Sequence, residues 1–361
     1  MTERYLFFLG KHPDISSAEI QAVLGLFHVS YTIRWNQAPY MVTETDDRLN
    51  AEHLIKRLGG TIKIGRQIAQ PIERHLISAQ PTGKILFSLS NTSHDMAMRI
   101  KKILKADGKS VRYIEPKNTA TILHNDLVQL GGDLTILDDA VFVTEAIQPI
   151  EALGARDYGR PGRDTTSGML PPKLAQIMIN LSEAEQDAVI LDPFCGSGTI
   201  LMEATLMGYT HLLGSDAAEN AIAQTKKNLK WLQENRPDTK IKLPKLFCSD
   251  ARMLKKKLLP QSVDVIVTEP YLGKPLHGRE PIDFLKKAAV ELGTLYTESL
   301  ESFKEILKRD GLIVMIIPTF RHDTTWIRVE LNASMREEKK FFYARPNQYV
   351  GREIKIFRKI Q

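Results

Sequence analysis

Residues 4–9 read as a strand, apolar from Tyr5 to Leu9, and the chain then alternates short helical and extended periods. Ile20, Val23 and Leu24 share one helical face after Ser16-x-x-Glu19, the spacing of a capping box, and Gly25 offers a stop. Residues 29–35 and 40–43 read as strands. Leu54, Ile55 and Leu58 mark a second helix closed by Gly59-Gly60, and 61–68 returns as a strand. This β-α-β-β-α-β order is that of a ferredoxin-like unit. A second set follows: a strand at 85–89, a helix over 95–105 with Met98, Ile103 and Leu104 inward, and a strand at 111–114. Paired strands near 134–137 and 141–147 are joined by Asp138-Asp139.

A Gly- and Arg-rich stretch over 154–163 has no hydrophobic period and reads as a linker. Beyond it the pattern becomes α/β. Pro171-Pro172 suits a helix start, with Leu174, Ile177, Met178 and Leu181 as the buried stripe. Strands near 188–191, 212–216, 246–248 and 263–267 alternate with helices over 199–207 and 221–233. Such alternation predicts a doubly wound, mostly parallel, Rossmann-like sheet. The expected domains are residues 1–70, 71–150, a linker at 151–165, and 166–361.

Composition narrows the class. With 43% hydrophobic and 25% charged residues the chain is globular, not disordered or fibrous. Its net charge of +6, most of it beyond residue 150, favours anionic partners. Arg99, Lys101, Lys102, Lys105, Lys109 and Arg112 form one basic cluster; Lys255–Lys257 and Lys274, His277 and Arg279 are further candidates for phosphate contact. Two cysteines, Cys195 and Cys248, rule out a disulfide framework; both read as small packed residues, and no cluster suggests a metal. No apolar run reaches membrane-spanning length and the N-terminus is no signal peptide, so a soluble, cytoplasmic protein is expected.

The strongest chemical signal is Asp192-Pro-Phe-Cys-Gly-Ser-Gly-Thr199, an apolar strand ending in an acid, then a glycine loop, then a helix. Ligands of such sheets bind beyond the carboxyl ends of the strands. Asp192 offers an acceptor for a ligand's ammonium group. Leu201 stands where a dinucleotide fingerprint needs its third glycine, which disfavours a nicotinamide or flavin enzyme. Asp216 ends the next strand, where an acid can take both hydroxyls of a ribose or serve the following helix as a cap. Asp250, after the third strand, is placed to accept from an adenine amine. The fourth strand ends in Glu269-Pro270-Tyr271. A carboxylate and a proline carbonyl can orient the lone pair of a flat base amine and stabilise its developing charge, and an aromatic ring can stack on the base.

Asp192–Ala204, together with Pro172–Leu181, resembles the cofactor segments of THUMP-domain RNA methyltransferases, especially the tRNA guanosine N2-methyltransferases. The opening Tyr5–Lys11 and Ser17–Ile20 are similar to their N-terminal ferredoxin-like part, with residues 84–149 as the THUMP unit. The resemblance implies S-adenosyl-L-methionine as cofactor, lined by Asp192, Phe194, Gly196 and Gly198, with Asp216 on its ribose and Asp250 on its adenine. It implies Glu269, Pro270 and Tyr271 as the catalytic loop and tRNA as the partner, with a small activator subunit left open. One departure stands out. The family reads Asp-Pro-Pro-Tyr where this chain, without gaps, has Glu269-Pro270-Tyr271-Leu272. Glutamate adds one methylene, about 1.5 Å of reach. The segment Arg345–Glu353 resembles part of the family's closing hairpin.

The expected function is therefore S-adenosylmethionine-dependent methylation of a guanosine N2 amine in tRNA. A DNA amino-methylase, and a catalytically silent RNA-binding protein that kept the fold, are the alternatives.

Overall fold

The apolar runs of the first half pair into one sheet. The structure, a computed structural model, describes residues 2–162, 169–235, 241–320, 323, 326–344 and 348–360. It divides into two units, Met1–Pro149 and Ile150–Gln361.

In the first unit, β1 (Glu3–Leu9), α1 (Pro13–Leu26), β2 (Tyr31–Gln37), β3 (Tyr40–Thr45), α2 (Ala51–Arg57) and β4 (Thr61–Ile68) follow the ferredoxin-like order. Then come α3 (Ile72–Ala79), β5 (Ile85–Ser90), α4 (His94–Ala106), β6 (Val111–Tyr113), α5 (Thr119–His124), β7 (Asp133–Leu137) and β8 (Ala140–Ile147). The strand order β2-β3-β1-β4-β8-β7-β5-β6 makes one eight-stranded sheet, and antiparallel β4–β8 pairing joins the two sets. Asp138 and Asp139 both have positive φ, as a two-residue hairpin turn requires. Near the joint, the fully buried Asp133 carboxylate accepts from Lys63 Nζ at 2.7 Å, Ser88 Oγ at 2.6 Å and Thr144 Oγ1 at 2.6 Å. A buried charge is tolerated only when paired and hydrogen-bonded, and here the donors come from β4, β5 and β8.

Local expectations differ from the structure at four places. The capping box is not one: α1 starts earlier, with Pro13 preset for the first turn, and runs through Gly25 to Leu26. Glu19 instead accepts the Gly59 and Gly60 N–H groups, both at 2.8 Å, and Ser16 Oγ donates to the Gly60 carbonyl. Side chains at those glycines' turn would collide; a Cβ on Gly60 would lie 2.7 Å from Ser16 Oγ. On α4 the inward face is Ala97, Ile100 and Leu104, with Ile103 exposed and Met98 half-buried, because a 3.6-residue period seats 97, 100 and 104 together. Finally, part of the expected linker is helical: α6 spans Ile150–Tyr158, and its buried Leu153 and Arg156 supply the short period that the Gly/Arg composition masked. Positions 163–165 of that stretch lie outside the described residues.

The second unit continues with α7 (Pro172–Leu181), β9 (Val189–Asp192), α8 (Thr199–Leu206), β10 (His211–Asp216), α9 (Glu219–Glu234), β11 (Lys245–Cys248), a 3-10 turn at Ala251–Lys256, β12 (Val263–Thr268), α10 (Ile282–Ile306), β13 (Leu307–Phe320), β14 (Met335–Tyr343) and β15 (Val350–Lys359). Its sheet runs β11-β10-β9-β12-β13-β15-β14. The first five strands are mutually parallel, and β15 inserts antiparallel between β13 and β14. Buried parallel strands need apolar side chains on both faces, which Val189–Leu191 and Val265–Val267 supply. This is the mostly parallel α/β sheet that the periodicity predicts. Among the described residues no helix is long and apolar enough to cross a membrane.

Candidate active site

Because β11, β10, β9 and β12 are neighbours, their carboxyl ends lie in one row. Asp192 closes β9, Asp216 closes β10, Asp250 follows β11 by two residues, and Glu269 follows β12 by one. A cleft of about 460 Å³ opens above that row. Eight of the nine residues singled out from sequence line it: Asp192, Phe194, Gly196, Asp216, Asp250, Glu269, Pro270 and Tyr271. Gly198 does not. Its φ of 85° makes the left-handed turn into α8, and a Cβ there would sit 2.8 Å from Thr225 Cγ2.

Each acid has its own electrostatic setting. Asp192 is buried, and loss of solvent pushes its carboxyl up to about 8, with Asp216 and Glu269 adding to the rise. Thr268 Oγ1 donates to it at 2.8 Å and the Phe194 N–H at 3.3 Å. Asp216 bridges the turn: its oxygens accept the Gly196 N–H at 3.0 Å and the Ala218 N–H at 2.9 Å. It thereby ties the glycine loop to the end of β10, while Ala218 itself occupies the cap position of α9. Asp250 caps the 3-10 turn and meets Arg252 at 2.7 Å; the guanidinium holds its carboxyl below the usual range. Glu269 Oε1 accepts from Arg352 Nε at 2.7 Å. Tyr271 is 51% exposed, so its ring face is accessible, and its carbonyl accepts from the buried Tyr296 hydroxyl at 2.6 Å.

The lining contains four carboxyl groups and no Lys, Arg or His among the described residues. Such a cleft repels a pyrophosphate and attracts a cation. A buried carboxyl that burial disfavours as an anion, with only two weakly compensating donors, gains most from a ligand that brings its own positive charge. The set of acidic acceptors fits a sulfonium nucleoside carrying an ammonium group, and it does not fit NAD.

Thr268, Arg252, Tyr296 and Arg352 carried no sequence signal, since each acts across 2 to 83 positions with no fixed motif. Arg352 does lie in the hairpin segment singled out above, of which residues 345–347 lie outside the described residues. Cys195 is buried, and burial pushes its thiol up, away from thiolate chemistry. Cys248 is exposed, contrary to expectation, because β11 is the sheet's edge strand. Among the described residues no group of His, Cys, Asp or Glu could hold a metal ion.

A row of strand-end carboxylates, the last of which opens a carboxylate–proline–aromatic loop, defines a methyltransferase of the S-adenosylmethionine-dependent class. Residues 160–345 match the UPF0020 family (RMKL-like, methyltransferase domain), and the chain belongs to that family. It is similar to the tRNA (guanine(10)-N2)-dimethyltransferase of Methanocaldococcus jannaschii, with 25% identity covering 97% of this chain and 98% of that one. The enzyme of the same name from Methanothermobacter thermautotrophicus is 28% identical over 86% of this chain and 87% of its own. In fold it resembles the crystal structure of TrmN from Thermus thermophilus, with a TM-score of 0.57 and 16% identity, covering 99% of this chain and 100% of that one.

Proposed function

We propose that this protein transfers a methyl group from S-adenosylmethionine to the N2 amine of a guanosine in tRNA. The observation that carries the reading is the cleft itself: its charged lining residues are all acidic, which suits a cationic nucleoside, and it also holds Glu269, Pro270 and Tyr271. The two long relatives, both named for guanine N2 methylation in tRNA, support the choice of base, atom and nucleic acid. The basic cluster on α4, β6 and the turn between them supports a polyanionic partner, for none of its six cations pairs with a described acid, whereas Arg4, Arg34 and Arg66 elsewhere in that unit do. The division into a ferredoxin-like part (residues 1–70), a THUMP-like RNA-binding part (71–150), a linker (151–165) and a methyltransferase part (166–361) belongs to the same proposal, as does a cytoplasmic location.

When bound, S-adenosylmethionine supplies an electrophilic methyl group on a positively charged sulfur. Asp192 takes its ammonium, Asp216 its ribose hydroxyls through the second lone pairs of its oxygens, and Asp250 its adenine amine. Phe194 and Gly196 line the same wall. Glu269 and the Pro270 carbonyl accept from the guanine N–H groups and aim the nitrogen lone pair, and Tyr271 stacks on the extruded base. The nitrogen becomes acidic as it gains the methyl, so Glu269 receives its proton directly or through one water without acting as a strong base.

Tritiated methyl transfer to unmodified tRNA, followed by nucleoside analysis, tests substrate and product together. The expected product is N2-methylated guanosine, with Glu269→Ala lowering transfer by about 100-fold or more. Cofactor binding without transfer to any RNA would favour the silent reading, and transfer to duplex DNA instead of tRNA the DNA amino-methylase.

A further inference from the structure

We propose that Arg352 is the positioning residue for Glu269, and that the two form one working unit across the sheet. The inference rests on the reading of Glu269 as the amine-holding carboxylate. A glutamate at a strand tip has three side-chain torsions to settle, one more than aspartate, and an unrestrained carboxylate there would sample many positions. Arg352 removes that freedom. Its Nε donates to Glu269 Oε1 at 2.7 Å, and both side chains are nearly buried, at 7% and 12% exposure. Oε1 is thereby occupied, and Oε2 makes no hydrogen bond with a described residue, leaving one carboxylate oxygen for the base.

The anchor is rigid because it sits within a sheet and not on a loop. Arg352 lies on β15 opposite Pro318 of β13 on one side and Tyr343 of β14 on the other. Its neighbour Gly351 packs so closely that a Cβ would lie 2.5 Å from Thr319 Oγ1, which fixes the backbone just before the arginine. Arg352 is absent from the cleft lining, so it reaches the chemistry only through Glu269. The Tyr296 hydroxyl on the Tyr271 carbonyl and Thr268 on Asp192 hold the two flanks of the same loop. The longer glutamate is therefore matched by a partner that fixes its extra reach.

The test is a double-mutant cycle in steady-state kinetics with full-length protein and tRNA, using Glu269→Gln, Arg352→Gln and the pair. Misplacing a reacting group by about 1 Å costs about 100-fold, so Arg352→Gln should lower kcat by about that factor. KM for tRNA and the Kd of S-adenosylhomocysteine should stay within about threefold, because the cleft lining is untouched. In the Glu269→Gln background the same substitution should cost less than about threefold. Arg352→Lys, which keeps the charge and one donor, should recover about tenfold of the loss and covers the case in which the glutamine variant folds poorly. An unchanged kcat in Arg352→Gln, or an equal loss in both backgrounds, overturns the proposal. Full activity of Glu269→Gln alone overturns instead the reading of Glu269 on which it rests.

Discussion

Burial makes Asp192 a proton-linked receptor. With its carboxyl pushed up to about 8, the side chain is mostly protonated at pH 7 in the free protein. Meeting an ammonium group requires losing that proton, work of about 1.4 kcal/mol at pH 7. Between pH 6 and pH 8 the ionised fraction rises about fiftyfold, so affinity for S-adenosylhomocysteine should rise by the same order. Isothermal titration calorimetry in two buffers of different ionisation enthalpy reads both the affinity and the released proton. Stability has the opposite slope. The folded protein holds a proton that an unfolded aspartate, with its ordinary value of 3.8, has already shed. The melting temperature should therefore fall as pH climbs from about 4 to about 8. Asp192→Asn should flatten both profiles and weaken binding at pH 8. Wild-type affinity that is level from pH 6 to pH 8, with no proton released, would refute the reasoning.

Three further outcomes follow from packing and charge. Gly198→Ala should lower stability by about 1–3 kcal/mol, since it combines positive φ with a collision against Thr225, whereas Gly196→Ala, whose nearest neighbour is 3.9 Å away, should cost less; denaturant melts check both. Asp133→Ala strands the buried Lys63 charge and should destabilise the first unit by about 3–5 kcal/mol, read by hydrogen exchange across β4 and β8. Replacing Lys101, Lys102 and Lys105 by alanine should weaken tRNA binding and reduce the slope of log K against log salt by about 2, measured by filter binding between 50 and 200 mM salt.

The strand-end acids were legible because parallel sheets place function at one edge, and a run such as Val-Ile-Leu-Asp announces both the strand and its tip. Glu269-Pro270-Tyr271 was legible for the same reason. What escaped were contacts between elements distant in sequence. Nothing in the spacing ties Arg352 of β15 to Glu269, or Tyr296 of α10 to Tyr271, because only the tertiary fold brings these pairs together across 83 and 25 positions. Local rules failed where a tertiary partner outbid them: Ser16 and Glu19 had the form of a cap, yet they serve the turn at Gly59-Gly60. Ile103 had the hydrophobicity of a core residue but not the angular position.

The pairing of β4 with β8 sets a rule for anyone who divides the first unit. A cut near residue 70 leaves β8 with a row of bare backbone donors and acceptors over Val141–Ile147, and Asp133 without its lysine. Such a strip is a ready template for self-association, so the shortened fragment should aggregate unless another strand is supplied to it.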